Sequence, residues 1–320
     1  MNNGLKPTKV TMNIESMPFF SASLAAMHIS PVSRVVLGTP QAGVVSELEV
    51  SVVGKCGDVE FIKRTDFVKE CFSAESFNLK NSYSVVLDFD FDCFEYDYAF
   101  LNSLDEEKNA EIYVLVKYAG KEFVAKAQTV LYPSSTWLGL EGEPSVVASF
   151  VRDNEASIEN ICKEICTEGA SGYDSVSRRN IVDTVKKLYK SLKNCNIIYS
   201  RPVGYAAGAK QKVRFPDELF SAGSVLATPL EIALVFSACA KKVNLDTCLI
   251  FVRGSKGDIN VLCGVYLIKS PIKVPVCEDA ERIAALVDAG DLLILDPSVF
   301  AAAQNTSLVM ALEKTAESFV

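Results

Sequence analysis

The chain of 320 residues is 49% hydrophobic and carries 32 basic against 40 acidic side chains, a net charge of −8. That length supports two ordinary domains with well-formed cores. The acidic balance argues against a phosphate-tracking surface, which concentrates Lys and Arg on one face, so no direct nucleic-acid contact is expected. Charged residues interrupt every apolar run before the roughly 18 residues of a membrane helix, so no membrane span is expected.

Residues 17–29 follow Lys6 and Lys9 and loosely resemble a secretory leader. Ser21, Ser23 and the single histidine, His28, break that stretch, and a first β-strand fits it as well. From residue 19 to 132 the hydrophobic pattern has period two, with polar turns between the runs. Val50 and Val52 alternate with polar neighbours. Val85, Leu87, Phe89, Phe91 and Cys93 form one strand face, and Asp88, Asp90 and Asp92 form the other. Ile112, Val114 and Val116 lead through Tyr118-Ala119-Gly120-Lys121 into residues 123–131, the spacing of a hairpin. The expectation is an all-β, immunoglobulin-like sandwich of about seven antiparallel strands over residues 1–140.

Residues 132–142 are rich in turn formers and lack a period, which places the domain boundary there. The second domain, 141–320, is expected to be α+β. Helical spacing predicts helices over 157–167 and 177–195, the latter from Ile181, Val185, Leu188 and Leu192. A helix over 229–243, strands at 248–252 and 261–268, a helix over 279–289, a strand at 292–295 and a helix from 308 follow.

Ten cysteines (Cys56, Cys71, Cys93, Cys162, Cys166, Cys195, Cys239, Cys248, Cys263 and Cys277) fall within apolar patterns, not at paired loop spacings. They read as reduced thiols of a cytoplasmic protein. The aspartates at 88, 90 and 92 have calcium-loop spacing, but Cys93 stands where such a loop needs Gly and Ala99 where it needs Glu. Gly204 to Lys210 has glycines and a lysine at the wrong spacing for a phosphate loop. Cys162 and Cys166, one helical turn apart, lack a histidine or a second cysteine pair beside them. No metal and no cofactor are expected.

Three segments carry more information: Phe215-Pro216-Asp217-Glu218, then Ala227-Thr228-Pro229-Leu230-Glu231-Ile232-Ala233-Leu234-Val235, then Ile259-Asn260-Val261-Leu262-Cys263-Gly264-Val265-Tyr266-Leu267, with Leu295-Asp296-Pro297-Ser298 beyond them. Their order and wording resemble the transglutaminase-like (papain-like) superfamily, in the version that precedes a superfamily-one helicase module in large bacterial proteins. Trp137-Leu138-Gly139 and residues 146–151 resemble that family's junction between sandwich and first helix. The resemblance implies a triad in which Cys opens a helix, His starts the second strand and Asp closes the next. Here Pro229 takes the Cys position, Asn260 the His position and Asp296 the Asp position. Proline carries no nucleophile, and Asn is no general base near neutral pH. Thr228, Pro229 and Glu231 instead form the signature of an N-capped helix start.

The resemblance therefore implies a degenerate, catalytically inactive member that acts as a peptide-binding or scaffolding module with a protein partner. Thr228, Pro229, Asn260, Cys263 and Asp296 would line the former cleft. The alternative is an unorthodox cysteine hydrolase or transferase that uses Cys263, supported by Asn260 and Asp296. A third reading makes the chain the front of a longer, helicase-bearing polypeptide.

Overall fold

The computed structural model describes residues 11–39, 44–73, 75–76, 83–118, 121–140, 144–167, 173, 178–200, 210–221, 225–253, 259–301 and 307–317. It is a mixed α/β chain with strands in several sheets. It divides into two compact units, 1–134 and 135–320.

The first unit contains β1 (Thr11–Ser16), β2 (Phe19–Ser21), α1 (Ala22–Ala26), β3 (Val32–Thr39), β4 (Val44–Cys56), β5 (Val59–Ser73), β6 (Glu75–Ser76), β7 (Tyr83–Asp88), α2 (Tyr98–Ser103), β8 (Lys108–Tyr118) and β9 (Lys121–Tyr132). One sheet has the order β1-β3-β7-β6 and the other β2-β9-β8-β4-β5. The β8–β9 hairpin keeps an unbroken register from Lys108↔Leu131 to Tyr118↔Lys121. Its inward row, Ala110, Ile112, Val114 and Val116, is buried, as a period-two strand on a core requires.

Two local expectations are corrected. Residues 17–29 do not form a single strand, because Ser21 ends β2 and its hydroxyl accepts the Leu24 N–H at 3.2 Å, which starts α1. β2 also pairs parallel with β9, so the unit is neither purely antiparallel nor free of helix. The aspartate run is not one strand face: β7 ends at Asp88, and Phe91–Cys93 is a 3-10 turn. His28 takes the left-handed conformation, φ 57°, just beyond α1, and its ring stacks on Phe91 at 4.8 Å.

The second unit contains β10 (Thr136–Trp137), α3 (Ala156–Thr167), α4 (Arg178–Lys193), β11 (Ile197–Tyr199), β12 (Gln211–Lys212), α5 (Pro216–Phe220), β13 (Val225–Ala227), α6 (Pro229–Lys242), β14 (Thr247–Arg253), β15 (Ile259–Tyr266), α7 (Ala280–Asp288), β16 (Leu292–Leu295) and α8 (Leu308–Glu317). β14, β15 and β16 form an antiparallel sheet in sequence order. α6 is the core helix: every residue from Pro229 to Ala240 is buried. A helix apolar around its whole circumference must be packed on all sides, and α6 meets α3, α4, β14 and β15. Phe236 on α6 packs against Phe300 at 5.4 Å, and Phe300 against Tyr189 of α4 at 5.3 Å. The loop at 204–209 and the Ala119-Gly120 turn lie outside the described residues.

Candidate functional site

The start of α6 holds two of the five candidate residues. Thr228 is the N-cap, Pro229 the first helical residue and Glu231 the reciprocal partner in a capping box. The Thr228 hydroxyl accepts the Glu231 N–H at 3.3 Å, and the Thr228 N–H donates to Glu231 Oε2 at 2.9 Å. Glu231 also receives Arg214 in a fork: Nε donates to Oε1 and Nη2 to Oε2, each at 2.8 Å. The Arg214 backbone N–H adds a third bond at 3.1 Å, and Nη2 also reaches the Leu226 carbonyl at 2.6 Å.

The Glu231 side chain is only 3% exposed and the Arg214 side chain 32%, so a buried carboxylate meets a partly exposed guanidinium in a bidentate ion pair. Burial pushes its carboxyl up, but the hydrogen bonds from Arg214 and Thr228 together outweigh burial and hold it below the usual carboxylate range. The helix end that supplies positive potential to a thiolate in a cysteine enzyme is here occupied by a carboxylate and its guanidinium partner.

The other three candidates lie on the sheet. Cys263 is fully buried in the middle of β15, opposite Leu295. Its Sγ donates to the Leu295 carbonyl at 3.3 Å. Burial, reinforced by the negative charge of Asp296, pushes this thiol far above its ordinary value. Asp296 follows β16 and caps the 3-10 turn after it, accepting the Ser298 N–H at 2.8 Å, while its own N–H donates to Thr315 Oγ1 at 3.1 Å.

Asn260 is exposed near the start of β15 and is paired with Val252. Strand alternation puts it on the face of Leu262 and Tyr266, which pack with Leu292, Ile294 and Ile283 and Leu286 of α7. Val261, Cys263 and Val265 project from the opposite face, the α6 side. The structure thus brings together Thr228 with Pro229, and Cys263 with Asp296. Asn260 lies on the other face of β15 from Cys263 by strand alternation.

The nine cysteines whose side chains are described are free. Cys162 Sγ donates to the Cys239 carbonyl at 3.7 Å, and both side chains are fully buried. The contact between the two thiols, with burial, raises Cys239, and the same contact lowers Cys162. Burial raises Cys195 and Cys248 to about 11 each. A cavity of about 310 Å³ opens elsewhere, lined by Ser157, Asn160, Ile161, Asp217, Phe220 and Ser221. Asp217 there caps α3 by accepting the Ser157 N–H at 2.8 Å, and its own N–H donates to Glu155 at 2.7 Å.

The Arg214–Glu231 pair was not foreseen from sequence. The capping signature flagged Glu231, but nothing local announces a partner 17 positions upstream. Among the described residues there is no cluster of three or more metal-ligating side chains, and no helix is long and apolar enough to cross a membrane.

No protein-family model matches the chain, and no curated protein matches it. Among solved structures, a family 76 glycoside hydrolase from a bovine Bacteroides thetaiotaomicron strain is similar over 73% of this chain and 47% of its own, at 8% identity and a TM-score of 0.17. This chain spans about half the length of that enzyme. A likeness at that TM-score carries no argument about fold or activity.

Proposed function

We propose that the chain is a non-catalytic, transglutaminase-like protein that works as a binding or scaffolding module for an extended segment of a protein partner. In this reading the first unit is an immunoglobulin-like sandwich and the second a degenerate papain-like domain. One observation carries the reading. At the start of α6, where the resemblance puts a nucleophile, stand Pro229 and the Glu231–Arg214 ion pair.

A thiolate beside a buried carboxylate is electrostatically disfavoured. The alternative nucleophile, Cys263, is sealed in β15 with its thiol pushed up by burial. A cysteine enzyme needs the opposite, a lowered and accessible thiol. Binding needs none of this machinery, since main-chain hydrogen bonds and apolar pockets suffice to hold an extended peptide.

Selection of a displayed library of linear peptides against the immobilised chain, followed by mass spectrometry of each enriched peptide after incubation, tests both halves. The expected result is saturable binding with every peptide recovered intact. Cleavage or acyl transfer would overturn the non-catalytic half, and failure to enrich any peptide would overturn the binding half.

A further inference from the structure

Four cysteines gather where α3, α4 and α6 pack on one another. Cys162 and Cys166 lie one turn apart on α3, Cys239 lies in α6, and Cys195 follows α4. Cys162 and Cys239 are fully buried, Cys195 is half-buried and Cys166 is exposed.

Two of the four touch. The Cys162 Sγ at 3.7 Å from the Cys239 carbonyl lies against the residue that carries the second thiol, 77 positions along the chain. The thiols also bond to each other, and Lys242, three residues beyond Cys239 on α6, adds positive charge that favours the Cys162 thiolate. Packed helices have axes about 8–10 Å apart and Cα atoms about 2.3 Å from each axis. That leaves about 3.5–5.5 Å between facing Cα atoms, which overlaps the separation a disulfide spans. Cys195 stands aside from the pair, since its Sγ donates to the Ser191 carbonyl of α4 at 3.4 Å.

Buried thiols are ordinarily inert for want of access. Cys166 supplies the access here, as the exposed member one turn from Cys162. Burial and the charge of Cys162 both raise its pKa, so reaction at Cys166 sets the pace.

We propose that Cys162 and Cys239 are an oxidation site that closes to a disulfide between α3 and α6, with Cys166 as the point of entry for a small peroxide. The Cys166 thiolate attacks one oxygen of hydrogen peroxide, the O–O bond breaks, hydroxide leaves and is protonated to water, and Cys166 becomes a sulfenic acid. The Cys162 thiolate attacks the Cys166 sulfur and expels hydroxide, which takes up a proton as a second water. The Cys239 thiolate then attacks the Cys162 sulfur, and Cys166 leaves as a thiolate and regains its proton. In total two thiols lose two electrons and two protons, and one peroxide becomes two waters. The finished link ties the core helix to α3 and restricts the unfolded chain across 77 positions. This inference is independent of the peptide-binding reading, which survives or fails without it.

Titration of the reduced full chain with hydrogen peroxide, followed by alkylation in denaturant and tryptic mapping with and without dithiothreitol, tests it. Lys163 separates Cys162 from Cys166, so trypsin places the two in different peptides and the mapping tells them apart. The expected result is loss of two of the ten thiols, recovery of a linked pair of peptides carrying Cys162 and Cys239, and return of both thiols on reduction. Cys166→Ser, a change at an exposed position, should slow formation of that link by roughly tenfold or more, because susceptibility follows exposure. An unchanged thiol count, a final link between Cys162 and Cys166, or oxidation of Cys166 without any link to Cys239 would overturn the proposal. A Cys162–Cys239 link that forms as fast in Cys166→Ser as in the wild type would overturn the entry role of Cys166.

Discussion

Replacing Arg214 with Met leaves an aliphatic stem of similar length and removes the guanidinium from Glu231. Glu231 then keeps three neutral donors, the N–H groups of Thr228 and Arg214 at 2.9 and 3.1 Å and the Thr228 hydroxyl at 3.1 Å, and loses both charge-assisted bonds at 2.8 Å. Stranding one member of a buried pair costs about 3–5 kcal/mol, and the three surviving donors place this case near the lower end, at about 3 kcal/mol. For a unit of this size that lowers the thermal midpoint by roughly 6–12 °C.

The pH dependence is the sharper sign. In the wild type the Glu231 carboxyl is depressed in the folded state. Its contribution is therefore fully present above the unfolded carboxylate pKa and is lost as pH falls through the lower folded value. In Arg214→Met burial is no longer offset, the folded pKa rises above the unfolded one, and the sign reverses. The variant's deficit should be largest near neutral pH and shrink on acidification toward pH 4. Urea titrations of both proteins at pH 7 and pH 4.5 measure this. A deficit under about 1 kcal/mol, or one that does not change between the two pH values, would refute the reasoning.

Other outcomes follow from local geometry. A Cβ added at Gly264 would lie 2.6 Å from Cys248 Sγ and 3.1 Å from Leu292 Cδ1, so Gly264→Ala should cost about 1–3 kcal/mol by overpacking. Part of that loss should return in the double variant with Cys248→Ala, and a double-mutant cycle showing simple additivity would contradict the clash. The Tyr173 hydroxyl accepts the Asp246 N–H and donates to the Tyr266 carbonyl, both at 3.0 Å. Tyr173→Phe should therefore cost about 1–3 kcal/mol in chemical denaturation. An unchanged midpoint would show that this bridge is dispensable.

The helix and strand positions of the second unit were legible because apolar spacing there is regular. The expected helix from residue 229 and the strand at 292–295 coincide with α6 and β16, and Thr228-Pro229 with Glu231 gives the helix start in full. The short apolar stretch around Phe20 was read as a leader or a first strand, and the helix that follows β2 was missed although Ser21, three residues before Leu24, is its local capping signal. The aspartate run misled because alternating exposure continues past the end of β7 into a turn.

The candidate site was legible only as a set of residue types. The shared face of Asn260, Leu262 and Tyr266 follows from alternation along one strand. Which helix covers that face depends on chain crossings that no local pattern encodes. Arg214 is the clearest case: its role rests on a contact with Glu231 formed only once β12, α5 and α6 are assembled.

Among the described thiols whose pKa is displaced, only Cys162 is held below its ordinary value, and it is buried. The account therefore turns on the absence of a thiol both activated and accessible, and competitive thiol labelling of the native protein across pH, resolved by peptide mapping, tests this most directly. The account predicts that the exposed Cys166 labels only as pH approaches its raised value, and that Cys239 and Cys263 stay protected until unfolding. A thiol that labels rapidly well below the ordinary cysteine pKa of about 8.5, Cys263 above all, would contradict it and return the chain to the cysteine enzymes.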